Sequence, residues 1–92
     1  MHSVFVTVDI KAGRVNDATG ILDAVVIPRA KQSPGFARGV WWHNQDETVG
    51  YGLITFDTAQ NAEAMAAQGL DGPPDAPVTV RSVEVGTVHA EA

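Results

Sequence analysis

The segment Phe36–Phe56, "FARGVWWHNQDETVGYGLITF", constrains the fold more than any other. On either side of the polar "NQDE" the residues alternate with the period of two of extended chain. The segment therefore reads as a β-hairpin of strands Phe36–His43 and Thr48–Phe56. Centring the turn on Gln45-Asp46 sets Trp41 opposite Gly50, Gly39 opposite Gly52, Trp42 opposite Val49 and Val40 opposite Tyr51. One face then carries Ala37, Gly39, Trp41, His43, Gly50, Gly52, Ile54 and Phe56. The other carries Phe36, Arg38, Val40, Trp42, Val49, Tyr51, Leu53 and Thr55. Both faces are largely apolar, whereas an antiparallel sheet with one solvated side shows one polar face. This hairpin needs cover on both sides.

The remaining chain supplies cover for one of them. Residues 3–10, "SVFVTVDI", alternate in the same way, with Val4, Val6, Val8 and Ile10 on one side and Phe5 and Asp9 on the other. After the break at Lys11-Ala12-Gly13 the spacing turns helical, placing Val15, Ala18, Ile21/Leu22 and Val25 on one stripe. Pro28 should end or kink this helix, or open a further turn through Lys31. Ser33-Pro34-Gly35 is a turn. Asp57-Thr58 caps an alanine-rich helix, about Ala59–Gln68, closed by Gly69. "DGPPDAP" is a connector, and a last strand runs from Val78 to about Val88 with a bulge expected near Arg81–Ser82. The order is β-α-β-β-α-β: an α+β, ferredoxin-like fold with a four-stranded antiparallel sheet, occupying residues 1–92 as a single domain.

Two helices in this topology cover one sheet face. A chain of 92 residues without cysteine has neither disulfides nor thiolate metal sites to add stability. At about 25 cal/mol per Å² of apolar surface, pairing with a second copy is the economical way to cover the other face. A homodimer is expected. A net charge of −5 with six scattered basic residues argues against nucleic acid as a partner. No apolar run approaches the roughly 20 residues of a membrane span, and the start of the chain reads as a strand, so a soluble, cytoplasmic protein is expected.

"DIKAGR" after the first strand, "SPGF" entering the second and "ITFDTAQNAEAMAA" from the third strand into the second helix add a resemblance. With element order and length, they make the chain similar to dimeric α/β-barrel proteins of the antibiotic-biosynthesis-monooxygenase type. The resemblance implies a homodimeric barrel and a ligand cavity between helices and sheet. Members include cofactor-independent monooxygenases of polycyclic aromatics and haem-degrading enzymes. Aligned through "PGF" and "TFDT", the resemblance turns Val6, Gly39, Trp41, Gly50, Gly52 and Phe56 toward the pocket. It turns Phe5, Asp9, Arg38, Val40, Trp42 and Tyr51 toward a second subunit. The chain departs from the haem-degrading branch: Val6 stands where that branch has asparagine, Phe56 where it has tryptophan, and no histidine occurs between His43 and His89. Haem is therefore not expected. No glycine-rich strand-to-helix fingerprint suggests a flavin or nicotinamide, and the histidines lack metal-ligand spacing. The expectation is no cofactor and no metal.

Two residues carry the chemistry that can be read. Trp41, among Gly39, Gly50 and Gly52, either walls a slot for a flat ligand or fills that slot itself; the size of the ring favours filling. His43 is the candidate catalytic base, since imidazole changes charge near neutral pH, against the plainer reading of a solvated strand-end residue. Arg38 is expected to pair across the dimer with Asp9. The reading is a protein that binds or oxidises a small aromatic molecule; the alternative is a non-catalytic ligand-binding or structural dimer.

Overall fold

A computed structural model describes residues 1–68 and 75–92 of the chain. The strands are β1 (His2–Ile10), β2 (Phe36–His43), β3 (Val49–Phe56) and β4 (Val78–Thr87). They form one antiparallel sheet in the order β2-β3-β1-β4. Between β1 and β2 run α1 (Val15–Ile21), a π-helical turn (Leu22–Val26) and α2 (Ile27–Gln32); α3 (Ala59–Ala67) joins β3 to β4. This α+β arrangement is compatible with a ferredoxin-like fold. The expected closure of α3 at Gly69 and the first part of "DGPPDAP" lie outside the described residues.

Local chemistry places each boundary. Thr58 accepts the backbone N–H of Asn61 at 3.1 Å and starts α3, as the sequence suggests. Gly35 has φ +77°, and a Cβ there would collide with the Asp57 side chain, so the turn into β2 requires glycine. The helix after β1 does not stop at Pro28. Proline cannot donate to the Ala24 carbonyl and its ring crowds that group. The turn just ahead of it widens, with the Ile27 N–H reaching back to the Leu22 carbonyl. The widened turn sets Val26 above Leu22 on the sheet-facing stripe. Val26 lines the space over the sheet, whereas Val25, expected there, does not and is 46% exposed.

The hairpin register differs from expectation by two residues. Trp41 lies opposite Gly52, Gly39 opposite Ile54, Val40 opposite Leu53, Trp42 opposite Tyr51 and His43 opposite Gly50. The connection is longer than a tight turn because Asn44 organises it. Its side-chain oxygen accepts the backbone N–H of Thr48 at 2.9 Å and of Val49 at 3.1 Å, and Glu47 adopts φ +61°. A slip of two preserves both faces, since side chains repeat every two residues. Losing the two Asn44 bonds in Asn44→Ala is expected to cost about 1–2 kcal/mol, read as a lower urea midpoint with an unchanged slope. A midpoint equal to wild type would show that the strands set the turn unaided.

One residue changes face. The register shifts between Phe36 and Arg38, so Phe36 pairs with Phe56 and leaves the open face on which alternation had put it. Its ring meets Phe56 edge-on at 6.4 Å. The bulge at Ala37 lets the larger side chain join the core. A second irregularity falls in β4, where Ser82 faces Thr7 and Val80 faces Val8, leaving Arg81 without a residue opposite it, near where the sequence suggested a bulge.

The core occupies one end of the helix–sheet layer. Val4, Ile54 and Phe56 of the sheet pack with Ala30 of α2 and Ala62 and Met65 of α3. At the other end, α1 and the π-turn contribute no buried residue at all. The layer is filled where α2 and α3 lie and hollow under α1.

Candidate functional site

The hollow end is a cavity of about 380 Å³. Its floor is Val6, Val8 and Ile10 of β1 with Gly50 and Gly52 of β3. Its roof is Val15, Ala18, Thr19, Ile21, Leu22 and Val26, and Trp41 and His43 of β2 stand at the side. The volume lies within the ~300–1,000 Å³ of small-molecule sites, and the walls are mainly aliphatic and aromatic, as in such sites. An apolar cavity of about 150 Å³ holds one benzene ring, so this one has room for about two fused rings.

Trp41 resolves its two readings by doing both. A Cβ on Gly52 would come within 2.9 Å of its Cδ1, and a Cβ on Gly39 would strike the far edge of the six-membered ring. The indole therefore lies flat over two glycines of the sheet. Its ring also walls the cavity, while Gly50, beyond its reach, is covered by Val8, whose Cγ2 a Cβ there would meet at 2.9 Å. Gly39 is thus covered by the indole and does not line the cavity. Phe56 does not line it either. It is fully buried in the core at the closed end, four positions along β3 from Gly52, and serves packing.

His43 reaches the cavity from the exposed end of β2, with Nδ1 2.8 Å from the carbonyl oxygen of Asn44. A carbonyl only accepts, so Nδ1 carries the hydrogen and the neutral ring keeps its free lone pair on Nε2. No carboxylate, lysine or arginine among the described residues lines the cavity beside it. Among those residues no group of three His, Asp or Glu side chains gathers as a metal cluster would require.

The residues expected at a dimer interface lie together on the sheet face away from the helices. Phe5 and Tyr51 stack at 6.0 Å and 7°, and Trp42 lies 5.2 Å from Tyr51. Val40 is 57% and Leu53 38% exposed around them. The charges differ from expectation. Asp9 is bound by Arg81, from the β4 bulge beside it, rather than awaiting Arg38. That bond, and then the carboxylate's charge, push the Arg81 guanidinium further up. Arg38 is far along the sheet, in the row of Thr55 and Ser3, and pairs instead with Glu91. The backbone of Val88 bonds to Met1, and the segment after β4 reaches across to this opposite edge strand.

The helix-borne half of the cavity was only partly foreseeable. The stripe of Val15, Ala18 and Leu22 announces a face toward the sheet, but the same stripe would serve a helix packed down without a gap. Among the described residues no helix is long and apolar enough to cross a membrane. Comparison with known proteins finds no family model that matches the chain and no curated relative.

Proposed function

We propose that this chain is a homodimeric α/β-barrel protein that takes up a small, flat, apolar molecule between helices and sheet. In this it resembles the cofactor-independent monooxygenases of the antibiotic-biosynthesis type. The observation that carries the reading is the cavity of about 380 Å³, walled by Trp41 and floored by Val6, Val8 and Ile10 beside Gly50 and Gly52. Aliphatic walls exclude charged ligands, and a flat ring system fits beside the indole. The dimer follows from the exposed Val40, Trp42 and Leu53 around the Phe5–Tyr51 stack, an apolar patch that water solvates poorly. Packing two such faces together puts the rings at an interface centre, where aromatic side chains are enriched.

The chemistry available is oxidation of a hydroxyarene. His43 Nε2 accepts the hydroxyl proton, and the resulting arenolate gives one electron to dioxygen. The aryloxyl radical and superoxide combine at a ring carbon, and the hydroperoxide loses water. A hydroxyarene and dioxygen thereby become a quinone and water, with no metal required. The alternative, binding without catalysis, is favoured by one observation: among the described residues no carboxylate, lysine or arginine stands with His43 in the cavity.

Sedimentation and oxygen uptake test the proposal. Wild type is expected to sediment as a dimer at micromolar concentration and Trp42→Glu as a folded monomer, because the substitution would bury an unpaired carboxylate in the apolar patch. A wild-type monomer would contradict the assembly. Oxygen uptake with hydroxynaphthalenes, lost in His43→Ala, supports catalysis; binding without uptake leaves the protein a carrier.

A further inference from the structure

We infer that the cavity selects ligands that donate a hydrogen bond, a hydroxyl-bearing arene over its ether or carbonyl counterpart, and that His43 and Thr19 are the residues that discriminate. The inference rests on the reading that this cavity holds a flat apolar molecule, and it specifies that molecule's polar chemistry.

Among the described residues, Thr19 on the helix and His43 on the sheet bring hydrogen-bonding side chains to the two sides of the lining. Each has its hydrogen committed elsewhere. The Thr19 hydroxyl donates to the Asn16 carbonyl at 3.1 Å, within its own helix. The Nδ1–H of His43 donates to the Asn44 carbonyl at 2.8 Å. What remains toward a ligand is lone pairs: those of Thr19 Oγ1 and, on the neutral imidazole, that of Nε2. Of the two indoles in the lining, that of Trp41 is held flat on the sheet, where a Cβ on Gly52 would lie 3.0 Å from its nitrogen, and that of Trp42 is packed against Phe5 and Tyr51. Tyr51, whose backbone borders the same space, directs its ring to the opposite face, stacked on Phe5 and Trp42.

A ligand hydroxyl meets these acceptors with a donor. A ligand carbonyl or ether brings only further lone pairs and loses its water on entry without replacement. Because His43 stands at the exposed end of the cavity, water screens part of the difference, and a preference of about tenfold is expected rather than the far larger discrimination of an enclosed site. Methylation of the hydroxyl makes a ligand more apolar, so transfer from water alone would favour the ether. A preference for the hydroxyl therefore has to come from the hydrogen bond.

Calorimetric titration of the full chain with 1-naphthol, 1-methoxynaphthalene and 1-naphthaldehyde tests this, repeated with His43→Phe and Thr19→Val. Both positions tolerate replacement: His43 is exposed, and Thr19→Val keeps shape. Naphthol binding about tenfold tighter than the ether and the aldehyde, with the preference reduced in one variant and absent in the double variant, is the expected result. Equal affinities, tighter binding of the aldehyde, or a preference that survives the double variant would overturn the donor selectivity while leaving the cavity reading intact. Failure of all three to bind wild type would overturn both.

Discussion

Replacing Phe56 by alanine is expected to destabilise the chain by about 3–5 kcal/mol. Phe56 is fully buried, meets Phe36 edge-on and closes the filled end of the layer against Val4, Ala30 and Ala62. Collapse into the space it would leave is limited, since its strand is held in register on both sides and the helix residues packed with it include the short side chains of Ala30 and Ala62. Domains of this length carry about 5–15 kcal/mol in all, so the variant should be partly unfolded at 37 °C. Thermal denaturation followed by circular dichroism reads it. A loss under 1 kcal/mol would mean that the Phe36–Phe56 end is not where stability is concentrated.

Filling the hollow end has the opposite sign. Ala18 points into the cavity from α1, and Ala18→Trp would place an indole in space the wild type leaves empty. Added apolar contact should hold or raise the melting temperature, against a helix-propensity cost of about half a kcal/mol. Binding of a fused-ring ligand should fall more than thirtyfold, because the same volume cannot be occupied twice. Calorimetry and a melting curve on one preparation read both quantities. Unchanged affinity in a stable variant would show that the ligand sits elsewhere. The pair of substitutions separates the two halves of the layer: one removes a ring that stability needs, the other adds a ring that only function resists.

The contrast between the two ends also marks what the amino-acid pattern reveals. Periods of two and of 3.6 announce the strands and the helix after β1, because the apolar residues that form the layer must repeat with the geometry of the backbone carrying them, and the Asp57-Thr58 cap announces α3. The division of Arg38, Val40 and Trp42 from Gly39, Trp41 and His43 follows from that alternation and survives a register error of two. Phe36 escapes it, because the bulge at Ala37 yields to the packing of a ring against Phe56, a contact between residues far apart in the chain. The turn register depends on Asn44 accepting two backbone N–H groups, which composition alone does not reveal. The partners of Asp9 and Arg38 lie 72 and 53 residues away and become visible only with the sheet assembled.

The site divides in the same way. Gly50 and Gly52 signal a place where the floor lacks side chains, and Trp41 beside them signals a wall. The roof is not legible, because Val15, Leu22 and Val26 would occupy the same stripe whether the helix stood off the sheet or lay on it. Nor does the His43 position alone disclose its tautomer, which is set by the carbonyl of the next residue.

The most direct test of the account is a methyl and indole NMR titration of the protein with naphthalene. The cavity reading predicts saturable shifts at one ligand per chain, concentrated on Val8, Ile21, Leu22, Val26 and the Trp41 ring. Shifts concentrated instead on Val40 and Leu53 of the open face, or no saturable shift up to the solubility of naphthalene, would contradict it.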